Sequence, residues 1–128
     1  MDNNILTDKQ LTILKLLYRF RFLTSTHIQH LLNDKTLRLT NYHLKILTSQ
    51  NHINKHYTRS LGLANLPAVY FLASGSIKAL QDSLHLNAQS IKRIYREKTR
   101  SPQFIAHASF IAEYYLFLLR ESQKPAHT

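Results

Sequence analysis

The sequence predicts a mainly α fold with one small β-hairpin (α+β), and three observations carry that expectation. Gly 2 and Pro 3 are too few for the tight turns of an all-β sandwich. Apolar residues recur at helical spacing along most of the chain. Only two runs, His52 to Arg59 and Val69 to Leu72, read as strands, and Gly62, Asn65 and Pro67 lie between them. With 128 residues and 44% hydrophobic content, the chain is long and apolar enough to bury one core.

Residues 8–21 read as the first helix. Thr7 is a good N-cap and Gln10 completes a capping box. Leu11, Leu14, Leu17 and Tyr18 form its apolar stripe. Thr24 or Ser25 caps a short second helix through Leu32, and Asn33-Asp34 ends it with turn chemistry. A third helix runs from about Thr36 to Ser49. Leu37, Thr40, Leu44 and Leu47 share its inward face, which leaves Arg38, Asn41, Tyr42 and Lys45 on the opposite side. Two strands and their loop follow as a hairpin, and Ser74 or Ser76 caps a fourth helix through about Ser83.

The order helix, helix, helix, strand, strand, helix places a helix-turn-helix ahead of a wing, the winged-helix arrangement, over residues 1–87. Residues 88–101 read as a basic, partly helical connector. Pro102 opens a long last helix over 102–128. That helix is apolar on more than one side, more than its own small domain can cover. Phe104, Ala108, Ile111, Tyr115 and Leu118 make the stripe expected to meet a second copy in a homodimer. Ile105, Ala112, Leu116 and Leu119 make another, and Phe110, Tyr114 and Phe117 widen it.

Charge points to a polyanion. The formal net charge is +10, and two blocks hold nearly all of it. From Lys35 to Arg59 there are five cations (Lys35, Arg38, Lys45, Lys55, Arg59) and no acid; a second block holds Lys92, Arg93, Arg96, Lys98 and Arg100 beside Glu97. The expected partner is double-stranded DNA. On the third helix, Arg38 suits a guanine edge and Asn41 an adenine edge, while Tyr42 and Lys45 reach phosphates. Lys55 and Arg59 on the wing, with Lys92, Arg93 and Arg96 on the connector, are expected to grip backbone. The bland alternative for each group is a solvated polar face.

Other classes find little support. Cys 0 removes disulfides and thiol chemistry and fits a cytoplasmic protein. The polar start Met1-Asp2-Asn3-Asn4 is unlike a signal peptide. The stretch from Phe104 to Leu119 is interrupted by His107, Ser109 and Glu113, so no membrane partner is expected. His27/His30 and His52/His56 have spacings that could pair, but no third ligand type accompanies them, so no metal or cofactor is expected. His107 is expected to be partly buried, hydrogen-bonded to Glu113 or Ser109 across the dimer. No phosphate loop, nucleophile elbow or His-Glu-x-x-His is present, so the chain is not expected to be an enzyme.

Several segments resemble the replication-relaxation family, winged-helix proteins of bacterial plasmids and integrative elements. They are Leu6-Thr7-Asp8-Lys9-Gln10, the run Leu14 to Ser25, Leu44-Lys45-Ile46-Leu47, Val69-Tyr70-Phe71-Leu72 with Ser74-Gly75, and Ile105-Ala106-His107. The resemblance covers nearly the whole chain. It departs at Gln50-Asn51-His52, where the family has a short Gly-containing turn, and at Thr128, beyond which family members tend to continue. It implies a sequence-preferring DNA-binding protein acting in plasmid or mobile-element replication, or in transcriptional control. Two other readings stand beside it: an assembly module that uses its apolar last helix, and the DNA-binding front of a larger nuclease-like protein.

Overall fold

A computed structural model describes residues 5–57 and 67–124 of the chain. Arg59 and most of the wing loop lie outside the described residues. Six helices surround a three-stranded antiparallel sheet: α1 (Asp8–Phe20), β1 (Leu23–Thr24), α2 (Ser25–Leu32), α3 (Leu37–Ser49), β2 (Ile53–His56), β3 (Val69–Leu72), α4 (Ser76–Leu84), α5 (Ala88–Arg96) and α6 (Pro102–Ser122), with a 3-10 turn at Glu97–Thr99. The strand order is β1-β3-β2. The α+β expectation is therefore correct.

Local chemistry sets the helix starts. Thr7 accepts from Gln10 N at 3.1 Å while the Gln10 amide accepts from Thr7 N, so the capping box of α1 is complete. Thr24 caps α2 the same way, with His27 as the reciprocal partner. Thr36, Asn87 and Ser101 cap α3, α5 and α6. α2 closes on Asn33 in the left-handed region (φ 62°), a conformation Asn tolerates.

Between α1 and α2 the backbone turns sharply. Arg21 takes φ 79° and ψ −54°, and Phe22 N donates to Phe20 O at 3.0 Å. This three-residue turn is rare and strained for a residue with a Cβ. It feeds Leu23 and Thr24 into β1, which pairs with Tyr70 and Val69 of β3. The sequence reading misses this strand, because two residues are too few to show a period-two pattern.

The sheet alternates as a two-faced element should. Leu72 and Ile53 join Leu14, Leu17, Leu44, Leu47 and Leu80 in the larger apolar cluster. Val69 and Phe71 face the other way, onto Phe22, Ile105 and Ala108. The second cluster seats the start of α6 against the sheet. On α3, Thr40, Leu44 and Leu47 are buried as expected, but Leu37 is 37% exposed because it opens the first turn beyond the core. Gly75, between β3 and α4, donates to Asn51 O at 3.0 Å; a Cβ there would lie 2.2 Å from that oxygen. No larger residue fits this crossing of backbones.

Residues 88–101 are more than a connector. α5 docks on α1: Tyr18 Oη donates to Ser90 Oγ at 2.9 Å, and Arg93 Nη2 donates to Tyr18 O at 2.6 Å. On α6 the inward face is Ile105, Ala108, Ala112 and Leu116. That differs from the stripe expected to meet a partner. Ala108 lies under the helix against the sheet cluster, so its place in an interface is a correction. Phe104 and Tyr115 are half-buried, on Phe22 and Phe20 respectively. Ile111 and Leu118 remain exposed. No described helix is long and apolar enough to cross a membrane.

Candidate nucleic-acid interface

The α2–α3 unit is fixed from within. Asp34, in the turn between the two helices, is paired with Lys9 of α1 and accepts from Thr40 Oγ1 of α3 at 2.7 Å. Thr40 is fully buried, so this bond satisfies a hydroxyl that would otherwise be orphaned. Burial pushes the Asp34 carboxyl up, but the Lys9 and Thr40 hydrogen bonds and the Lys9 and His43 charges outweigh it. The net pKa is below the ordinary value. His43 of α3 contacts Gln10 at 3.3 Å; burial, then the Lys9 charge, lowers its pKa, while Asp34 opposes. The inner side of α3 is thus tied to α1 through both polar and apolar contacts.

The outer side is different. Arg38, Asn41, Tyr42 and Lys45 are all exposed, Tyr42 by 63%. Among the described residues no ion pair engages Arg38 or Lys45. Thr36 accepts from Leu39 N at 3.2 Å and fixes where α3 begins, hence the angular position of every residue on that face. Lys55 on β2 lies 5.1 Å from the Tyr57 ring centre and 5.8 Å from that of Tyr70, a cation held over two rings.

The second basic block divides. Lys92 and Arg96 are exposed on α5. Arg93 turns inward: it bonds to Tyr18 O, stacks 4.3 Å above the Tyr18 ring and has a buried Nε with no partner among the described residues. Burial, then the nearby Arg21 charge, pulls its pKa below the usual guanidinium value. Its guanidinium is engaged in the α1–α5 contact, unlike the exposed Lys92 and Arg96. Arg21 and Arg100 flank the same region, and sequence reasoning missed Arg21. Its only signal was an Arg at the end of α1, and the carboxylate it meets is 76 residues away.

The histidines have separate fates. His27 is buried; its Nδ1 accepts from Thr24 N, so Nε2 carries the proton and donates to Glu113 at 2.7 Å. His27 thereby ties α2 to α6. His107 is exposed on this chain, because Glu113 meets His27 and the buried face of α6 lies elsewhere. His52 Nδ1 donates to Gly75 O at 2.9 Å and is buried. Among the described residues no three His, Asp or Glu groups converge as a metal site would require.

α6 also presents a row of rings. Phe110 and Tyr114 stack with centroids 6.4 Å apart, and Tyr114 and Phe117 follow at 6.5 Å. Phe110 is 65% exposed, and Ile111 and Leu118 extend the apolar surface. Such a contiguous patch is unusual on a protein that meets only water.

A family model described as Replication-relaxation matches residues 14–127. No curated protein and no solved structure gives a significant match to the chain.

Proposed function

The chain belongs to the replication-relaxation family, which supports a role in the replication of mobile elements, and from that premise we propose that it is a winged-helix protein that binds double-stranded DNA with sequence preference. The single observation behind this reading is the outer face of α3. Arg38, Asn41, Tyr42 and Lys45 stand exposed together, with no pairing carboxylate among the described residues, on a helix locked from behind by Asp34 and Leu47. In this reading α3 enters the major groove, Arg38 and Asn41 meet base edges, and Tyr42 and Lys45 meet phosphates. β2 and β3 form the wing, and Lys55 approaches the neighbouring backbone. The protein acts by binding and positioning DNA and catalyses no reaction.

A labelled duplex titrated at several salt concentrations tests the reading. With roughly six to eight phosphates neutralised per dimer, log K falls against log salt with a slope of about −5 to −7. A flat response rules out phosphate-driven binding. Arg38→Ala relaxes sequence preference if the residue reads a base. Selection of bound sequences from a random duplex pool gives the operator, and a palindromic winner establishes two-fold symmetry.

The ring row on α6 favours self-association. Phe110, Tyr114 and Phe117 recur at i, i+4 and i+7, so two copies of the helix can bury identical surfaces against one another. Sedimentation of the wild type and of Phe110→Ser/Phe117→Ser checks this: a wild-type dimer that becomes a monomer is the expected result. A wild-type monomer without DNA that also stays one protein per duplex removes the homodimer. A dimer that ignores every duplex instead favours an assembly module with α6 as its main surface.

A further inference from the structure

Where α1, α5 and α6 converge, Arg21, Lys92, Arg96 and Arg100 line one open trough with Gln89, Arg93 and Phe104, about 440 Å³ in volume. Two of these arginines are held by Glu97, which is only 2% exposed. Glu97 accepts from Arg21 Nε at 2.7 Å and Nη2 at 2.9 Å, and from Arg100 Nε at 3.0 Å. One carboxylate therefore fixes two guanidiniums but neutralises one charge. The Arg100 Nη atoms and one Arg21 Nη are not used by Glu97. The Phe104 ring lies 5.0 Å from Arg21 and 4.7 Å from Arg100, which restrains both planes further.

Two features separate this cluster from ordinary solvated charge. A surface pair needs no buried anchor, whereas Glu97 is desolvated, and that desolvation is tolerated only because several hydrogen bonds meet it. Arg21 also occupies a strained backbone conformation where Gly would rest without strain, and such strain gathers at functional positions. An arginine kept there at that cost is held for its guanidinium.

We propose that this trough binds the sugar-phosphate backbone of a nucleic acid at a place distinct from the α3 face. Arg21 and Arg100 act as preset forks and Lys92 and Arg96 as adjustable charges. Glu97 is a positioning residue that never touches the phosphate. Preset guanidinium forks match phosphate geometry and lose little freedom on binding. Lys92 and Arg96 lie four residues apart, about 6 Å along the α5 axis. The cations thus form a row beside an open trough, which suits a chain of phosphates better than one enclosed ion.

The inference rests on the DNA-binding reading above, and one experiment separates their failures. Anisotropy of a labelled duplex is followed against salt with the full chain, its Arg38→Ala variant, Lys92→Gln/Arg96→Gln and Glu97→Gln. For the double variant, whose changes are both exposed, the slope should shrink by about two per bound protomer and affinity should fall equally for every duplex sequence. Glu97→Gln should shrink the slope by about one per bound protomer at a temperature where it stays folded; a merely structural role would leave the slope at its wild-type value. A wild-type slope in the double variant beside lost preference in Arg38→Ala overturns the trough and keeps the α3 reading. Lost binding in the double variant beside an unaltered Arg38→Ala does the reverse. If no duplex binds, both readings fall.

Discussion

Two basic regions of this protein are built on opposite plans. The outer face of α3 carries Arg38 and Lys45 with no described ion pair, on a helix whose anchors all lie on its inner side. The trough beside α5 gathers more cations and holds two of them, Arg21 and Arg100, on the buried Glu97. On α3 charge and stability are separable, because no described ion pair ties its cations to the fold. In the trough they are coupled, because Glu97 draws α1, the 3-10 turn and the approach to α6 together. Equal signs on a charge map therefore stand for different physical objects, and substitution distinguishes them.

The largest expected effect falls on the coupled side. Glu97→Ala leaves Arg21 and Arg100 without their shared partner and should cost about 3–5 kcal/mol, as removal of one member of a buried pair does. Thermal unfolding measures it. A loss under about 1 kcal/mol would place Glu97 effectively in water and erase the contrast between the regions.

Next comes acid. Asp34 holds its proton less tightly when folded, so its contribution is present above its unfolded pKa of about 3.9 and lost as pH falls through the lower folded value. His43 also has a lowered pKa, so the unfolded chain takes up that proton first. Its contribution is whole above about pH 6.5 and declines as pH falls from there toward the folded value. Melting temperature should therefore fall in two stages on acidification. His43→Gln should remove the upper stage and Asp34→Asn the lower. Persistence of both stages in the two variants would detach the inner anchors of α3 from the pH response.

A smaller effect tests how α3 is aimed. Thr36→Ala removes the oxygen that caps Leu39 N and should cost about 1 kcal/mol. Because Thr36 fixes the first turn, the same variant should weaken duplex binding more than its stability loss explains. Equal stability loss with unchanged binding would mean that the first turn of α3 does not set its approach.

Much of the fold was legible because it rests on local rules. Thr7, Asn33 and Pro102 each announce a boundary through short-range chemistry, and the structure begins or ends its helices there. The buried stripe of α3 was legible from its period, apart from Leu37. What escaped depends on distant partners. β1 exists only because β3 comes to it. Glu97 looked like a lone acid in a basic run until Arg21 arrived from the far end of α1. Ala108 was grouped with the outward stripe of α6 because several sides of that helix are apolar, and periodicity cannot choose between faces that look alike; Val69 and Phe71 make the choice by packing on the small Ala108.

The smallest expected effect is the most telling. Lys45→Ala and Arg38→Ala should each change stability by no more than about 0.5 kcal/mol, since both side chains are exposed and the described residues offer them no ion pair. Their effect on duplex binding should be far larger, and of two kinds. Lys45→Ala should weaken all sequences alike and reduce the salt slope by about one per bound protomer, whereas Arg38→Ala should narrow the gap between preferred and random duplexes by about 1–3 kcal/mol. Calorimetry and anisotropy on the same preparations set the two quantities side by side. If either variant loses stability in proportion to binding, α3 is built like the trough after all, and its cations belong to the fold rather than to a partner.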